Sequence, residues 1–384
     1  MQIFTFNFSY LELGFLAVLL VAFAIQLYFY LSYFMGIVRQ KRRISKGKIQ
    51  FEDNKPPVSV IICARDEEEN LRKFLPMILA QDYPNYEVIV VDDASYDNTE
   101  DYLAVMTKEH SNLKTSFVPK DANNISTKKL GLTIGIKASK NDLLLFTDAD
   151  CMPEGNQWIA KMVRNFYSET EFVLGYGGYL HRKGFLNKLI KFDTLFIAIQ
   201  YIGMALAKHP YMGVGRNMAY KKDTFFKLKG FASTLNLASG DDDLMVQRGA
   251  NTSNTMVEIS PESVTWSEPK RTFGQWFSQK ARHLSVAKRY DGRSKFLLTL
   301  EPATRALFYL GVILTAVFGN WISFGAAMFF LVTRYLIQAI IINKSAKQLG
   351  ERKFYFTIIL FDILLPLISL YIHIFEKNKK VRWR

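Results

Sequence analysis

Leu143-Leu144-Leu145-Phe146-Thr147-Asp148-Ala149-Asp150 is the stretch on which the fold of this chain turns. Four bulky apolar residues in a row suit a short strand covered on both faces, and the run stops at two carboxylates one residue apart. The same pattern recurs upstream. Val58-Ser59-Val60-Ile61-Ile62 follows Pro56-Pro57, and Tyr86 to Val91 and Leu113 to Val118 read as two more buried strands. Glu69 to Leu79 and Lys128 to Ser139 read as helices between them. Strands alternating with helices imply an α/β unit with a mostly parallel sheet flanked by helices. Its bounds fall near residues 55 and 295. Ligands of such sheets bind beyond the carboxyl ends of the strands. Acids collect there: Asp92 and Asp93 after the second strand, Asp148 and Asp150 after the fourth. No G-x-G-x-x-G follows the first strand and no G-x-x-x-x-G-K-[ST] occurs, which argues against dinucleotide and P-loop sites.

The flanks have a different character. Leu13 to Val38 carries no charge and is long enough for a hydrocarbon core of ~30 Å, which needs about 20 residues. Glu12 precedes it and Arg39-Gln40-Lys41-Arg42-Arg43 follows, so residues 1–45 read as an N-terminal transmembrane anchor with its C-terminal end in the cytosol. Leu307 to Asn343 is apolar apart from Arg334, and Gly319-Asn320 divides it into two spans. Phe354 to Phe375, interrupted by Asp362 and Pro366, is a further candidate. Residues 300–384 are thus a C-terminal transmembrane region of two to three spans. Three spans would put the basic tail, Lys377 to Arg384, outside, against the positive-inside rule. Either one candidate lies in the interface or the tail breaks the rule. Phe185 to Ala207 is too polar at its start to span; it reads as an amphipathic helix, on the membrane surface or in the core.

The net charge of +14 admits nucleic acid, membrane or anionic-substrate partners. Its basic residues crowd beside the apolar stretches, which favours anionic headgroups, and no zinc-knuckle or aromatic-basic RNA motif occurs. Nucleic acid is therefore not an expected partner. Cys63 and Cys151 are far apart and form no readable disulfide framework or zinc site, as suits a reducing compartment. The expected location is integral to an inner or plasma membrane, with the α/β unit cytosolic.

A D-x-D pair at a strand end can direct both carboxylates at one hard cation. Mg2+ or Mn2+ prefers carboxylate and phosphate oxygens, so Asp148 and Asp150 are the candidate metal ligands, the metal bridging to a nucleotide diphosphate and polarising it as a Lewis acid. Isolated D-x-D pairs are common on surface loops; the strand before this one gives it weight.

The order of motifs resembles family 2 glycosyltransferases of the GT-A fold, in the membrane subgroup of cellulose, hyaluronan and poly-N-acetylglucosamine synthases and ceramide glucosyltransferase. The likeness covers roughly Pro57 to Tyr290 and the flanking spans. Val58 to Glu67 is similar to the family's first strand and nucleotide loop, which implies nucleotide-sugar contacts at Ala64, Arg65 and Glu67. Val90-Val91-Asp92-Asp93-Ala94-Ser95, with Asp97 and Thr99, resembles its V-D-D-x-S-x-D-x-T segment. That implies a base-reading carboxylate at Asp93, with Asp92 second, although both also suit a turn or helix cap. Lys128 and Lys129 stand where the family places a basic residue on the nucleotide. Asp148 is expected to meet both metal and donor.

In Gly240-Asp241-Asp242-Asp243-Leu244 the resemblance implies the catalytic base that takes the proton of the acceptor hydroxyl. Counting back from Leu244 favours Asp241, and a G-D-D form favours Asp242. Gly213 to Tyr220 is similar to an acceptor-side stretch and implies roles for Gly215 and Asn217. Gln279-Lys280-Ala281-Arg282-His283 resembles Q-x-x-R-W with His283 in the Trp position. Gln279 and Arg282 share a helix face and are expected on the nucleotide-sugar; His283 is expected near the acceptor. Losing the Trp weakens processive synthesis.

The resemblance implies an inverting hexosyltransferase that moves a sugar from a UDP-linked donor to a membrane-associated lipid or saccharide acceptor. A processive polysaccharide synthase is the alternative within the class. A non-catalytic nucleotide-sugar or lipid-binding membrane subunit is a second class, and it predicts loss of one acidic group. A transporter would need polar sites in the bilayer, where only Arg334 and Asp362 qualify.

Overall fold

The computed structural model describes residues 9–119 and 127–375. The basic tail weighed for orientation, Lys377 to Arg384, lies outside the described residues. The chain opens with α1 (Tyr10–Phe29), a π-helical turn (Tyr30–Phe34) and α2 (Gly36–Ser45). The α/β unit then runs β1 (Val58–Ala64), α3 (Glu68–Leu79), β2 (Tyr86–Asp92), α4 (Thr99–Glu109), β3 (Leu113–Phe117), α5 (Thr127–Ala138) and β4 (Leu143–Phe146). It continues through β5 (Cys151–Pro153), α6 (Trp158–Val163), β6 (Phe172–Leu174), β7 (Gly177–Tyr179), α7 (Phe185–Leu206), β8 (Met218–Lys221), α8 (Lys222–Lys227), α9 (Asp243–Gly249), β9 (Thr255–Val257), β10 (Thr265–Ser267) and α10 (Phe273–Val286). Three long helices close the chain: α11 (Gly292–Phe318), α12 (Trp321–Gln348) and α13 (Thr357–Phe375).

The main sheet has seven strands in the order β3-β2-β1-β4-β8-β6-β9. Strands β1 to β4 pair in parallel, and β8 is antiparallel to both its neighbours. All of β1 and β4 is buried, as their unbroken apolar runs require. The order reverses between β1 and β4, so the loops after β1, β2 and β4 open at the topological switch point. Helix α5 is drawn close to this sheet by two glycines one turn apart. A Cβ on Gly131 would lie 2.7 Å from the Cys63 sulfur, and one on Gly135 2.9 Å from Ile61 Cγ2. The first turn of α5 therefore comes down on the strand ends. A second sheet, β5-β10-β7, backs the loop after β4.

Helix α7 settles the question left open for Phe185 to Ala207: it is a core helix. Its Leu189, Ile190, Phe192, Leu195, Ile199 and Ile202 are all buried, and each such side chain contributes about 1.5–3 kcal/mol. Its polar residues are paired inside the protein. Lys191 lies 3.0 Å from Glu351, beyond α12, and donates to the Tyr179 carbonyl at 2.7 Å. Lys280 of α10 donates to both oxygens of Asp193, each at 2.7 Å. Where α7 crosses the N-terminal helices, Gly203 touches backbone: a Cβ there would stand 2.3 Å from the Tyr33 carbonyl oxygen.

Four helices are long and apolar enough to cross a membrane: Tyr10–Ser45, α7, α11 and α12. Of these α7 is enclosed by protein. Asn320 caps α12 at the turn expected between two spans. Helix α13 packs at both ends against helices of the α/β unit, Phe361 on Phe185 and Phe192 of α7, and Tyr371 on Phe277 of α10.

Arg334 and Asp362 are not an open polar site. They pair with each other at 2.8 Å inside a buried cluster that joins α1, α11, α12 and α13. Arg305 reaches Asp362 at 3.1 Å, Gln338 donates to Asp362 at 2.7 Å, and Arg334 donates to Gln26 at 3.0 Å. Gln26 in turn donates to the Glu301 carbonyl at 2.9 Å, and Arg305 bonds the Glu301 carboxylate. Two arginines and two acids cancel in charge. Asp362→Ala leaves both guanidiniums short of an acceptor and is expected to cost about 3–5 kcal/mol. A clear fall in Tm of the detergent-solubilised protein, smaller for Asp362→Asn, checks this.

Candidate functional site

The loops after β1 and β2 are laced together. Asp92 accepts from the amide and hydroxyl of Ser95, at 3.1 and 2.5 Å, which closes the turn at the end of β2. Ser95, Thr99 and Asp97 then accept from the amides of Asp66, Glu67 and Glu68 at 2.9, 3.2 and 3.1 Å. The tight turns put Asp66 and Ala94 at φ values of +54° and +55°, a backbone state costly for residues with a side chain and typical of functional loops. The acid-rich segments thus fix one another before any ligand is considered.

The first turn of α5 spans the strand ends. Thr127 donates to Asp93 at 2.6 Å, and Arg65 lies 4.0 Å from the same carboxylate. The other oxygen of Asp93 is buried with no partner among the described residues. Burial raises this carboxyl to about 6, against the pull of Thr127 and Arg65. The next residue, Lys128, reaches across the sheet. Its ammonium is 2.9 Å from Asp148 and 3.5 Å from Asp241. Lys128, Thr147, Asp148, Gly215, Asp241 and Asp242 line one cleft, walled by Leu132, Phe146, Met218 and Tyr220.

Charge decides the protonation of this cleft. Burial alone would raise Asp148, but Lys128, Arg216 and Arg282 outweigh it and hold the carboxyl below its usual range. Asp150 is pushed up by burial and by the charge of Asp148. Glu67 rises to about 7 through burial, with Asp150 and Asp148 adding to it. Asp148 and Asp150 have oxygens within 4.8 Å of each other and of the Cys151 sulfur. Two close carboxylates and one neighbouring ammonium leave an excess of negative charge, which a hard divalent cation fits. Cys151 is a poor part of that set: burial pushes its thiol up and it contacts Ser267 at 2.8 Å.

The acid triplet divides its work. Asp242 caps α9; one oxygen accepts from the Asp243 amide and the other from the Gly215 amide, each at 2.8 Å. Burial, then Asp241, raises Asp242 to about 6. Asp241 faces Lys128. Asp243 turns away to the hydroxyl of Tyr290 at 2.6 Å.

Three of the expected contact residues face elsewhere. Lys129 is fully buried and donates to the carbonyls of Thr234, Leu237 and Ser239 at 2.6, 3.0 and 2.8 Å, so it holds a loop rather than a nucleotide. Asn217 is also fully buried; its amide donates to the Tyr176 and Ser263 carbonyls, both at 2.7 Å, and accepts from Trp158 at 3.0 Å. It braces the Gly213 to Tyr220 stretch against Trp158, Tyr176 and Ser263. Asp92 is occupied by its turn. Ala64 ends β1 and contributes backbone only. Gln279 donates to the Tyr179 hydroxyl at 3.0 Å. His283 is exposed to solvent.

Sequence reasoning passed over Thr127, Arg216 and Tyr179. Arg216 donates to the Gly177 carbonyl at 3.0 and 2.6 Å and lies over the Tyr179 ring at 4.7 Å. Its neighbourhood, Gly215-Arg216-Asn217, was in view; Tyr179 left no signal.

Residues 59–225 match the family described as Glycosyl transferase family 2. Glycosyltransferase AglE of Haloferax volcanii is 34% identical over 110 residues, covering 28% of this chain and 34% of that protein. A beta-monoglucosyldiacylglycerol synthase of Nostoc sp. is 30% identical over 118 residues, covering 30% of this chain and 24% of that protein. The match thus spans about a third or less of these relatives' length. The mannosyltransferase PcManGT of Pyrobaculum calidifontis, solved in complex with GDP-Man and Mn2+, superposes with a TM-score of 0.55 at 20% identity. That superposition covers 88% of this chain and 98% of the other, so the two share a fold. The match to glycosyl transferase family 2 thus lies across the switch-point strands and their acidic loops.

Proposed function

We propose that this protein is a membrane-bound inverting glycosyltransferase that moves a sugar from a nucleoside-diphosphate donor to a membrane-associated acceptor. The observation that carries the proposal is the reach of Lys128, which touches Asp148 at 2.9 Å and Asp241 at 3.5 Å. Acids suited to the donor and acids suited to the acceptor therefore face one cleft. Asp93 offers its free buried oxygen to an N–H of the base, with Arg65 beside it. A UDP-linked donor suits this site, and a GDP-linked donor, as bound by the Pyrobaculum protein, supplies N–H groups as well. Glu67, Lys128, Gln279 and Arg282 surround the diphosphate and sugar.

Asp148 and Asp150 would hold Mg2+ or Mn2+, which when bound offsets the diphosphate charge and stabilises the leaving group. The acceptor hydroxyl attacks the anomeric carbon from the face opposite the diphosphate. Its proton passes to the base, the new glycosidic bond forms, the bond to the diphosphate oxygen breaks, and the configuration inverts. Asp242 is the better base of the pair, since two backbone amides orient it and its value near 6 suits proton uptake at neutral pH. Asp241 anchors Lys128. Gly215 and His283 lie on the acceptor side. The three lipid-facing candidate helices, with basic α2 beside them, support an integral membrane protein with its catalytic unit cytosolic. A histidine in the Trp position favours single transfer or a short product over processive synthesis, and retention of every acidic group speaks against a non-catalytic subunit.

The test is turnover of UDP-glucose, UDP-N-acetylglucosamine and GDP-mannose by the full chain in detergent, with a membrane lipid extract and with Mn2+ or a chelator. Products are read by mass spectrometry. Absence of transfer from every donor under every condition would sink the proposal.

Asp150→Ala is expected to lower kcat/KM by about 100-fold, since metal stabilisation is worth several kcal/mol. Metal-independent full activity in that variant would remove the metal role.

Asp242→Asn is expected to lower kcat by about 100-fold or more, and Asp241→Asn by less. In the wild type, kcat/KM should decline as pH falls through about 6, because Asp242 takes up a proton there and can no longer accept one. A flat profile between pH 5 and 8 would exclude Asp242.

A further inference from the structure

Asp243, the third acid of the triplet, takes no part in the chemistry above. It is 5% exposed, and the Tyr290 hydroxyl that binds it belongs to a residue 6% exposed. Tyr290 follows the short turn Ala287–Arg289 that joins α10 to α11. Gln247, one helical turn beyond Asp243, lies on the same face of α9. Its amide accepts from the backbone of Asp291 at 3.2 Å and donates to the Tyr211 carbonyl at 2.8 Å. Asp291 caps α11 through the Ser294 amide at 2.9 Å. The Tyr290 ring meets Tyr211 edge-on at 5.8 Å. One face of α9 is therefore keyed to the start of the long helix α11. The N-terminus of α9 holds Asp242, and the amide that orients Asp242 is that of Asp243.

We propose that Tyr290, through its hydrogen bond to Asp243, is a positioning residue that sets Asp242 in the cleft and ties its position to the first turn of α11. The proposal rests on the reading of Asp242 as base. Backbone and side chain of Asp243 serve opposite ends of one link: its amide aims Asp242 and its carboxyl is clamped by Tyr290. Loss of the clamp frees the turn that carries the base. A misplacement of ~1 Å at a reacting group can cost about 100-fold in rate. Gly240, at φ +89°, lets the chain enter this turn, and Leu244 and Val286 would meet any side chain placed there.

The experiment uses the full chain in detergent with whichever of UDP-glucose, UDP-N-acetylglucosamine and GDP-mannose turns over. Tyr290→Phe should lower kcat by about 10-fold or more while KM for the donor stays within about twofold. The acid limb of kcat/KM should move to higher pH, because the amide that favours charged Asp242 is displaced. Asp243→Asn keeps an oxygen for Tyr290 and should rescue what Asp243→Ala loses. Tyr290→Phe combined with Asp243→Ala should cost no more than the worse single change. An unchanged kcat and acid limb in Tyr290→Phe, or Asp243→Asn as impaired as Asp243→Ala, would overturn the proposal. Asp242→Asn is measured alongside, and full activity there refutes the base while leaving the clamp to be judged separately. Amide exchange at Gly215 and Asp243, read without donor, does so: it should quicken in Tyr290→Phe and not in Asp243→Asn, and equal exchange in all three proteins refutes the clamp.

Discussion

Crowded negative charge at the ends of β1, β2 and β4 is the constraint that the rest of this structure answers. Glu67, Asp93, Asp148, Asp150, Asp241 and Asp242 are gathered there, half-buried or buried. Two like charges 4 Å apart repel by about 4 kcal/mol at the effective dielectric of a protein surface. The chain meets this in three ways. Lys128 stands between Asp148 and Asp241. Backbone amides hold Asp242. Burial raises Glu67, Asp93 and Asp150 towards their neutral forms. What remains uncompensated is a surplus of negative charge on one side of the cleft, and the proposed divalent cation and its diphosphate are the chemistry that such a surplus suits.

Holding like charges together demands a rigid frame. Parallel pairing of β1 with β2 and β4 fixes the origins of the loops, and side-chain to amide bonds fix the loops to one another. Gly131 and Gly135 let α5 approach until Thr127 and Lys128 touch acids on two different loops. Without that approach the acids after β2 and β4 would have no common counter-ion. Helix α7 extends the frame to the apolar helices through two buried ion pairs, Lys191 with Glu351 and Asp193 with Lys280. The second bears on α10, which carries Gln279 and Arg282. A similar principle governs the cluster around Asp362, where opposite charges inside the helical bundle are tolerated because each has its partner.

The alternation of strand and helix, the bounds of β4, the acids at the strand ends and the apolar flanks were legible from residue order. These are local properties. A strand's apolar run, a helix's period and a span's length all lie within a few neighbouring residues, so sequence alone determined the α/β class and put the acidic groups at the carboxyl edge of the sheet. Family likeness followed from the same residues. Direction was another matter. Successive helical residues diverge by about 100°, so Lys128 and Lys129 read as equivalents yet point to a cleft and to a buried loop. Asn217 lay in the expected acceptor stretch, but only packing against Trp158, Tyr176 and Ser263 shows that it braces the stretch from behind. The tertiary structure likewise decided that α7 is core, that Arg334 answers Asp362, and that Asp148, Asp150, Asp241 and Asp242 share one field of charge. Such pairings join residues many positions apart, and the physical terms that select them, burial and opposite charge, act through space and leave no period in the chain.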